Sequence, residues 1–184
     1  MNEGKSIALI VDANSLIDLI KLGALISVAQ IAEYQFLVID EVVNEIRRPE
    51  QAGILQEAIR RGLISKVSIS TLDELELFAK LQTVLDLGEA ASLAYASIKR
   101  CLFLSDETQR AFMREVRALI GEKRLVRTHT VLAVAIKRQK LGLSALKAEV
   151  EKLKKTASTS RDRDDIQHLQ RVLDRVREVI SAKW

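Results

Sequence analysis

Apolar positions along the chain switch repeatedly between two periods. Ile7 to Val11 is an unbroken apolar run, as in a strand buried on both faces, whereas Leu16, Ile17, Leu19, Ile20 and Leu22 recur at helical spacing. Asp12 and Asn14 fall at the switch, with Asn14 or Ser15 placed to cap the helix and Gly23 to end it before a second helical stretch, Ala24 to Ala32. The plan then repeats. Phe36 to Ile39 reads as a strand, Asp40 opens a helix through Val42, Val43 and Ile46, and Pro49, the only proline, closes it. A short helix over 52–61 ends at Gly62, and Leu63 to Ile69 alternates like a strand nearer an edge. Thr71 and Glu74 have capping-box spacing ahead of Leu75, Leu77, Phe78 and Leu81. Gly88 interrupts, and Glu89 sits in the first turn of a small-residue helix, EAASLAYASIKR. Cys101 to Leu104 is the next buried strand, running into Ser105, Asp106 and Glu107 and then a helix carrying Phe112, Val116 and Leu119. Leu125 and Val126 form a last short strand before a helix from about Thr130 to Arg138. Four or more such alternations predict an α/β domain with a mostly parallel sheet.

From Ser144 the pattern is helical only: SALKAEVEKLKK, the turn-like TASTS, then RDRDDIQHLQRVLDRVREVI. The division is therefore 1–143 for the α/β domain and 144–184 for a basic helical extension. Ile166, Leu169, Leu173, Val176 and Ile180 step by three and four, a two-heptad seam that must be covered by the chain's own domain or by a partner. A homodimer is the expectation on that ground.

Composition changes this picture in one respect. The formal net charge is +4, but residues 121–184 hold 16 Lys and Arg against 8 Asp and Glu, leaving 13 against 17 in residues 1–120. A basic C-terminal third beside an acidic body points to a polyanionic partner. Hydrophobic residues at 48% and charged residues at 29% are those of an ordinary globular chain of 184 residues. The longest apolar runs fall far short of the ~20 residues a bilayer requires. No membrane span and a cytoplasmic location are expected. The single cysteine, Cys101, reads as a small buried hydrophobe. His129 and His168 lie too far apart to imply a zinc site, and His168 falls on the polar face of the last helix.

Four acids recur at one kind of place. Asp12, Glu45, Glu89 and Asp106 each follow an apolar strand or open a helical pattern, and in an open parallel sheet those positions share the edge where ligands bind. Any one of them alone could be a cap or a first-turn residue. Together they form a set of hard oxygen donors suited to Mg²⁺ or Mn²⁺, because crowded carboxylates repel and need a cation or a proton-transfer task to compensate. Phosphodiester hydrolysis is the chemistry such a centre serves best. Asn14, Ser15 and Thr108 are polar candidates to support the acids or a phosphate oxygen. No glycine-rich phosphate loop follows the first strand, and no nucleophile elbow is present.

VDANSLIDLIKLG, VIDEVVNEI, LDLGEAASLAYA and FLSDETQR, taken in order, resemble the PIN-domain family over roughly residues 6–138. That resemblance implies a three-layer α/β/α domain, a divalent metal held by Asp12, Glu45, Glu89 and Asp106, and ribonuclease activity on single-stranded RNA. Asn14 matches the small polar residue two beyond the first acid, and Glu107 the second place of the acidic pair. The branch is similar to the VapC toxins of type II toxin–antitoxin systems, which implies an antitoxin partner and pairing of like chains. Two features depart from the pattern: Arg127 and His129 stand where relatives often carry glycine, and residues 144–184 extend past the usual domain. A non-catalytic PIN-like module that binds nucleic acid or protein through its basic helices is the alternative.

Overall fold

The computed structural model describes residues 6–182. Its five strands are β1 (Ile7–Val11), β2 (Tyr34–Ile39), β3 (Ile64–Val67), β4 (Leu102–Leu104) and β5 (Leu125–Val126), all parallel and ordered β3-β2-β1-β4-β5. Strands buried on both faces need no alternation, and Leu9, Ile10, Val11, Phe36, Val38, Ile39, Phe103 and Leu104 are all at most 1% exposed. The alternating segment is the edge strand β3, as its pattern predicts.

Two helical layers cover the sheet. On one side lie α1 (Ala13–Lys21), α2 (Leu25–Ala29), α4 (Pro49–Arg60) and α8 (Thr128–Lys137), which pack on one another. α5 (Leu72–Leu81), α6 (Leu87–Lys99) and α7 (Arg110–Leu119) form the other group, with α6 against β1, β2 and β4. The alanines and serines of α6 are what permit that approach: Ala90, Ala91, Ser92, Ala94 and Ala96 are all fully buried. The short helix α3 (Asp40–Glu45) leaves the end of β2 and meets α6. The architecture is a three-layer α/β/α sandwich.

Strand order reverses at β1, whose chain continues to β2 on one side while β4 lies on the other. That reversal opens a crevice beyond the carboxyl ends of β1 and β4, the position where folds of this kind bind ligands. The ladder carries on one residue past the strands: the Asp12 amide donates to the Leu104 carbonyl at 3.1 Å and the Ser105 amide to Val126 at 3.1 Å. Asp12 and Asp106 are thereby held side by side.

Several boundaries shift by a few residues from the sequence reading, and at three of them a cap or a break is reassigned. Asp12, not Asn14 or Ser15, caps α1, because its carboxylate already lies at the strand end and accepts the Ser15 amide at 2.7 Å. Pro49 opens α4 at its first turn, where a missing N–H costs nothing; α3 has already ended at Glu45. Gly88 lies inside the first turn of α6 rather than before it, Asp86 being the cap. The capping box of Thr71 and Glu74 is present, and the Glu74 carboxylate, fully buried, also pairs with Lys99 of α6 at 2.7 Å.

Helices α9 (Leu143–Thr156) and α10 (Ser160–Ser181) join the same core through Leu146, Val150, Leu169, Val172, Leu173 and Val176. The seam is covered within the chain: Leu169, Leu173 and Val176 are buried and Ile166 and Ile180 half-buried against α8 and α9 neighbours. No uncovered stripe remains on α10 to call for a second copy, so the expectation of a homodimer loses the ground the seam gave it. Two polar contacts tie α10 to α1, Lys21 to Asp165 at 2.7 Å and His168 to Asp18 at 2.8 Å.

Because α10 shares the core, Leu173→Ala should cost about 2–5 kcal/mol in urea denaturation and shift one cooperative transition. The control Leu72→Ala, at a position 70% exposed, should be within about 0.5 kcal/mol of the parent. A separate early transition for the C-terminal helices would contradict this packing.

Candidate metal centre

Asp12 is 3% exposed at the end of β1, where burial lifts its carboxyl pKa to about 6; interactions with Ser105 and Ser15 pull it back, and the neighbouring Asp106 charge adds to the rise. Asp106 follows β4. Its Oδ1 accepts the amide of Thr128, the first residue of α8, at 3.1 Å, while Oδ2 is buried without a hydrogen-bond partner among the described residues. Arg127 braces the loop by donating to the Ser105 and Glu107 carbonyls at 2.9 and 2.8 Å, so its guanidinium fixes backbone rather than neutralising the carboxylates.

Glu89 stands in the first turn of α6. Burial raises its pKa to about 7, with Glu107, Asp86 and Asp12 adding negative charge around it. Glu107 turns its own carboxylate onto the amides of Thr108 and Gln109, both at 2.6 Å, just ahead of α7. Glu45, the last residue of α3, accepts the Gly88 amide at 2.9 Å; burial raises its pKa, the Gly88 bond opposes that, and Asp86 adds to it. A Cβ on Gly88 would lie 2.7 Å from Glu45 Oε1, so the glycine is what admits this carboxylate.

Asp12 thus lies in the field of Asp106, and Glu89 in the fields of Glu107 and Asp12. Among the described residues, however, ligand atoms of three or more acids and histidines come within 4.8 Å of one another only at Asp18, Asp106 and His168, so the expected four acids are neighbours rather than a closed coordination shell. Glu45 joins them at one remove, through the backbone beside Glu89. Asn14 and Thr108 are exposed and line a cavity of about 380 Å³ bounded by α1, the Asp106 loop and α10, to which Asp18, Arg161 and His168 also contribute. A second cavity of about 260 Å³ continues from Asp106 along Arg127, His129, Arg171 and Arg175. Asp106, Thr108 and His168 border both.

Two polar residues in this region are not singled out by the sequence pattern. Asp18, only 8% exposed on α1, and His168 of α10 present ligand atoms that lie with one from Asp106 within 4.8 Å of one another. His168 is therefore no idle member of a polar helix face. Asp18 leaves one sequence trace, a carboxylate embedded between Ile17 and Leu19 on an apolar helix; His168, 150 residues away, leaves none.

The donor chemistry of these acids is that of a hard divalent cation. The donors are carboxylate oxygens, two of the acids are pushed well above the ordinary carboxylate range, and one buried oxygen of Asp106 is unsatisfied.

A family model described as the PIN domain matches residues 8–178, a span that includes α9 and most of α10. No curated protein and no solved structure matches the chain. PIN domains are generally nucleases and typically use a divalent metal. With that match over nearly all of its length and a five-stranded parallel sheet, the chain belongs to the PIN-domain family.

Proposed function

We propose that the protein is a Mg²⁺- or Mn²⁺-dependent endoribonuclease and the toxin component of a type II toxin–antitoxin pair. The observation that carries the nuclease reading is the crowding of Asp12, Glu89 and Asp106, with Glu45 beside them, under protonation shifts that burial and like charge impose. Asp12, Glu45, Glu89 and Asp106 would hold the cation, which would supply Lewis-acid polarisation of a phosphoryl oxygen and a lowered pKa for water. Asp12 and Asp106 are placed by the ladder and by helix starts, so their oxygens are oriented before substrate arrives. Glu89, at about 7, can keep or release a proton near neutral pH. Asn14 and Thr108 line the cavity that Asp106 and Glu107 border and can donate to a phosphate oxygen. RNA as substrate is supported by the basic wall leading away from Asp106, where neither Arg171 nor Arg175 pairs with a carboxylate among the described residues. The toxin role and its antitoxin partner draw on the resemblance of the four quoted segments. No helix of the described residues is long and apolar enough to cross a membrane.

Cleavage of a labelled structured RNA with Mn²⁺ should be abolished by EDTA and fall by about a hundredfold or more in Asp12→Asn and Asp106→Asn proteins that circular dichroism shows to be folded. Cutting at the parental rate by both variants would sink the reading. Arg171→Ala with Arg175→Ala should weaken RNA binding across sequences and lower the salt slope by about 2, leaving folding intact. Salt-sensitive RNA binding with no cleavage under any metal would instead favour a non-catalytic binding module.

Stability should report the same crowding. Asp12 is protonated more readily in the fold than in the unfolded chain, so its contribution is fully present below pH 3.8 and is lost as pH rises through about 6, a change of roughly 3 kcal/mol. Glu74 and Asp162, held down to about 2, act only at lower pH. Between pH 4.5 and 7 in EDTA, the parent should therefore lose stability relative to Asp12→Asn, and Mn²⁺ should restore it at pH 7. Parallel denaturation profiles for the two proteins over that window would contradict the assignment.

A further inference from the structure

We propose that Asp18, Asp106 and His168 form a second divalent-cation site, selective for a first-row transition ion, that lies between α1 and α10 and shares Asp106 with the nuclease centre. The proposal rests on the reading of Asp106 as a metal carboxylate, but Asp18 and His168 are outside that four-acid set.

Ligand atoms of the three side chains lie within 4.8 Å of one another. His168 Nε2 and Asp18 Oδ2 are hydrogen-bonded at 2.8 Å, a contact that favours the protonated ring. Octahedral bonds of about 2.1 Å place adjacent ligands about 3 Å apart, so an ion that displaced the shared proton would find the pair at the spacing of one edge of its shell. Asp106 and His168 are partly buried and Asp18 is buried, and of the two Asp106 oxygens Oδ1 is satisfied by Thr128 while Oδ2 is itself buried and accepts no hydrogen bond among the described residues. No lysine or arginine among the described residues forms an ion pair with Asp18 or Asp106; Lys21, the nearest candidate on α1, is engaged by Asp165. The neighbouring cavity of about 380 Å³ leaves room for water ligands to complete the shell and for the ion to enter. One imidazole with two carboxylates selects Mn²⁺, Fe²⁺ or Zn²⁺ over Mg²⁺, since imidazole nitrogen is a borderline donor that Mg²⁺ takes poorly.

A bound ion would also fasten α10 to the acid loop and place a positive charge where the two cavities meet. The purely structural reading is a hydrogen-bonded clasp between α1 and α10, which needs no metal. The two differ in whether an imidazole nitrogen binds the ion.

The full chain, stripped with chelator and loaded with Mn²⁺, is examined by electron spin-echo modulation for imidazole nitrogen coupling and by calorimetry for stoichiometry, with RNA cleavage measured on the same samples. Nitrogen coupling is expected in the parent, in His129→Gln and in Asp12→Asn, and its loss in His168→Gln. One Mn²⁺ equivalent should bind about tenfold or more weaker in Asp18→Asn. The unaltered protein provides a test that no misfolded variant can obscure: saturating Mn²⁺ without nitrogen coupling overturns the site, as does coupling that survives in His168→Gln or follows His129. Asp12-dependent cleavage without the coupling would leave the nuclease reading standing and remove this one, while coupling without cleavage would do the reverse.

Discussion

Neighbouring carboxylates repel one another, and the arrangement around Asp12, Glu89, Asp106 and Glu107, of which Asp12 alone is buried, is a set of responses to that cost. Each acid sits on backbone donors at a helix start. Asp12 caps α1, Glu89 occupies the first turn of α6, Asp106 accepts the first amide of α8, and Glu107 accepts two amides just before α7. Each of these acids thus lies beside the positive end of a helix. The offset is incomplete: burial first, and neighbouring acids after it, still hold Asp12 and Glu89 above the ordinary carboxylate range.

Charge segregation along the chain has its counterpart in space. The acidic body gathers the carboxylates, and the basic C-terminal third folds back so that Arg161, His168, Arg171 and Arg175 of α10 line the cavities beside Asp106. A polyanion entering these cavities would meet cationic side chains on α10 and carboxylates on the opposite wall. Arg127 serves the second wall rather than the first: it braces the Ser105–Glu107 backbone, which holds Asp106 in place without neutralising it. A positive residue in this position is useful because its charge goes to carbonyl oxygens.

How much of this was legible follows from what periodicity encodes. Unbroken apolar runs mark strands buried on both faces, and all five strands lie where those runs and the edge alternation place them. The acids at strand ends and helix starts follow from the same switches of period. Periodicity also marks the apolar face of α10, but says nothing of the angle at which that face docks, and the angle decides that His168 meets Asp18 across 150 residues. Local caps were misread for a related reason. Asn14 and Ser15 have the right side chains, yet the ladder fixes Asp12 one step earlier, and tertiary hydrogen bonding overrides local preference. Pro49 reads equally as an end or a beginning until the segment between helices is seen.

Glu45 shows how far such a centre depends on what is missing as well as on what is present. Its carboxylate comes within reach of the α6 start only because Gly88 has no side chain; any larger residue would push it away, and with it the link between α3 and the Glu89 turn. The small-residue helix α6 therefore does two things with one composition. Its alanines let it lie close to β1, β2 and β4, which brings its first turn to the carboxyl edge of the sheet, and its glycine then leaves that turn open to a carboxylate from the neighbouring helix. Close packing and the assembly of the acids are a single constraint on α6, so substitutions that enlarge its buried face would move the centre even where they leave every acid in the sequence.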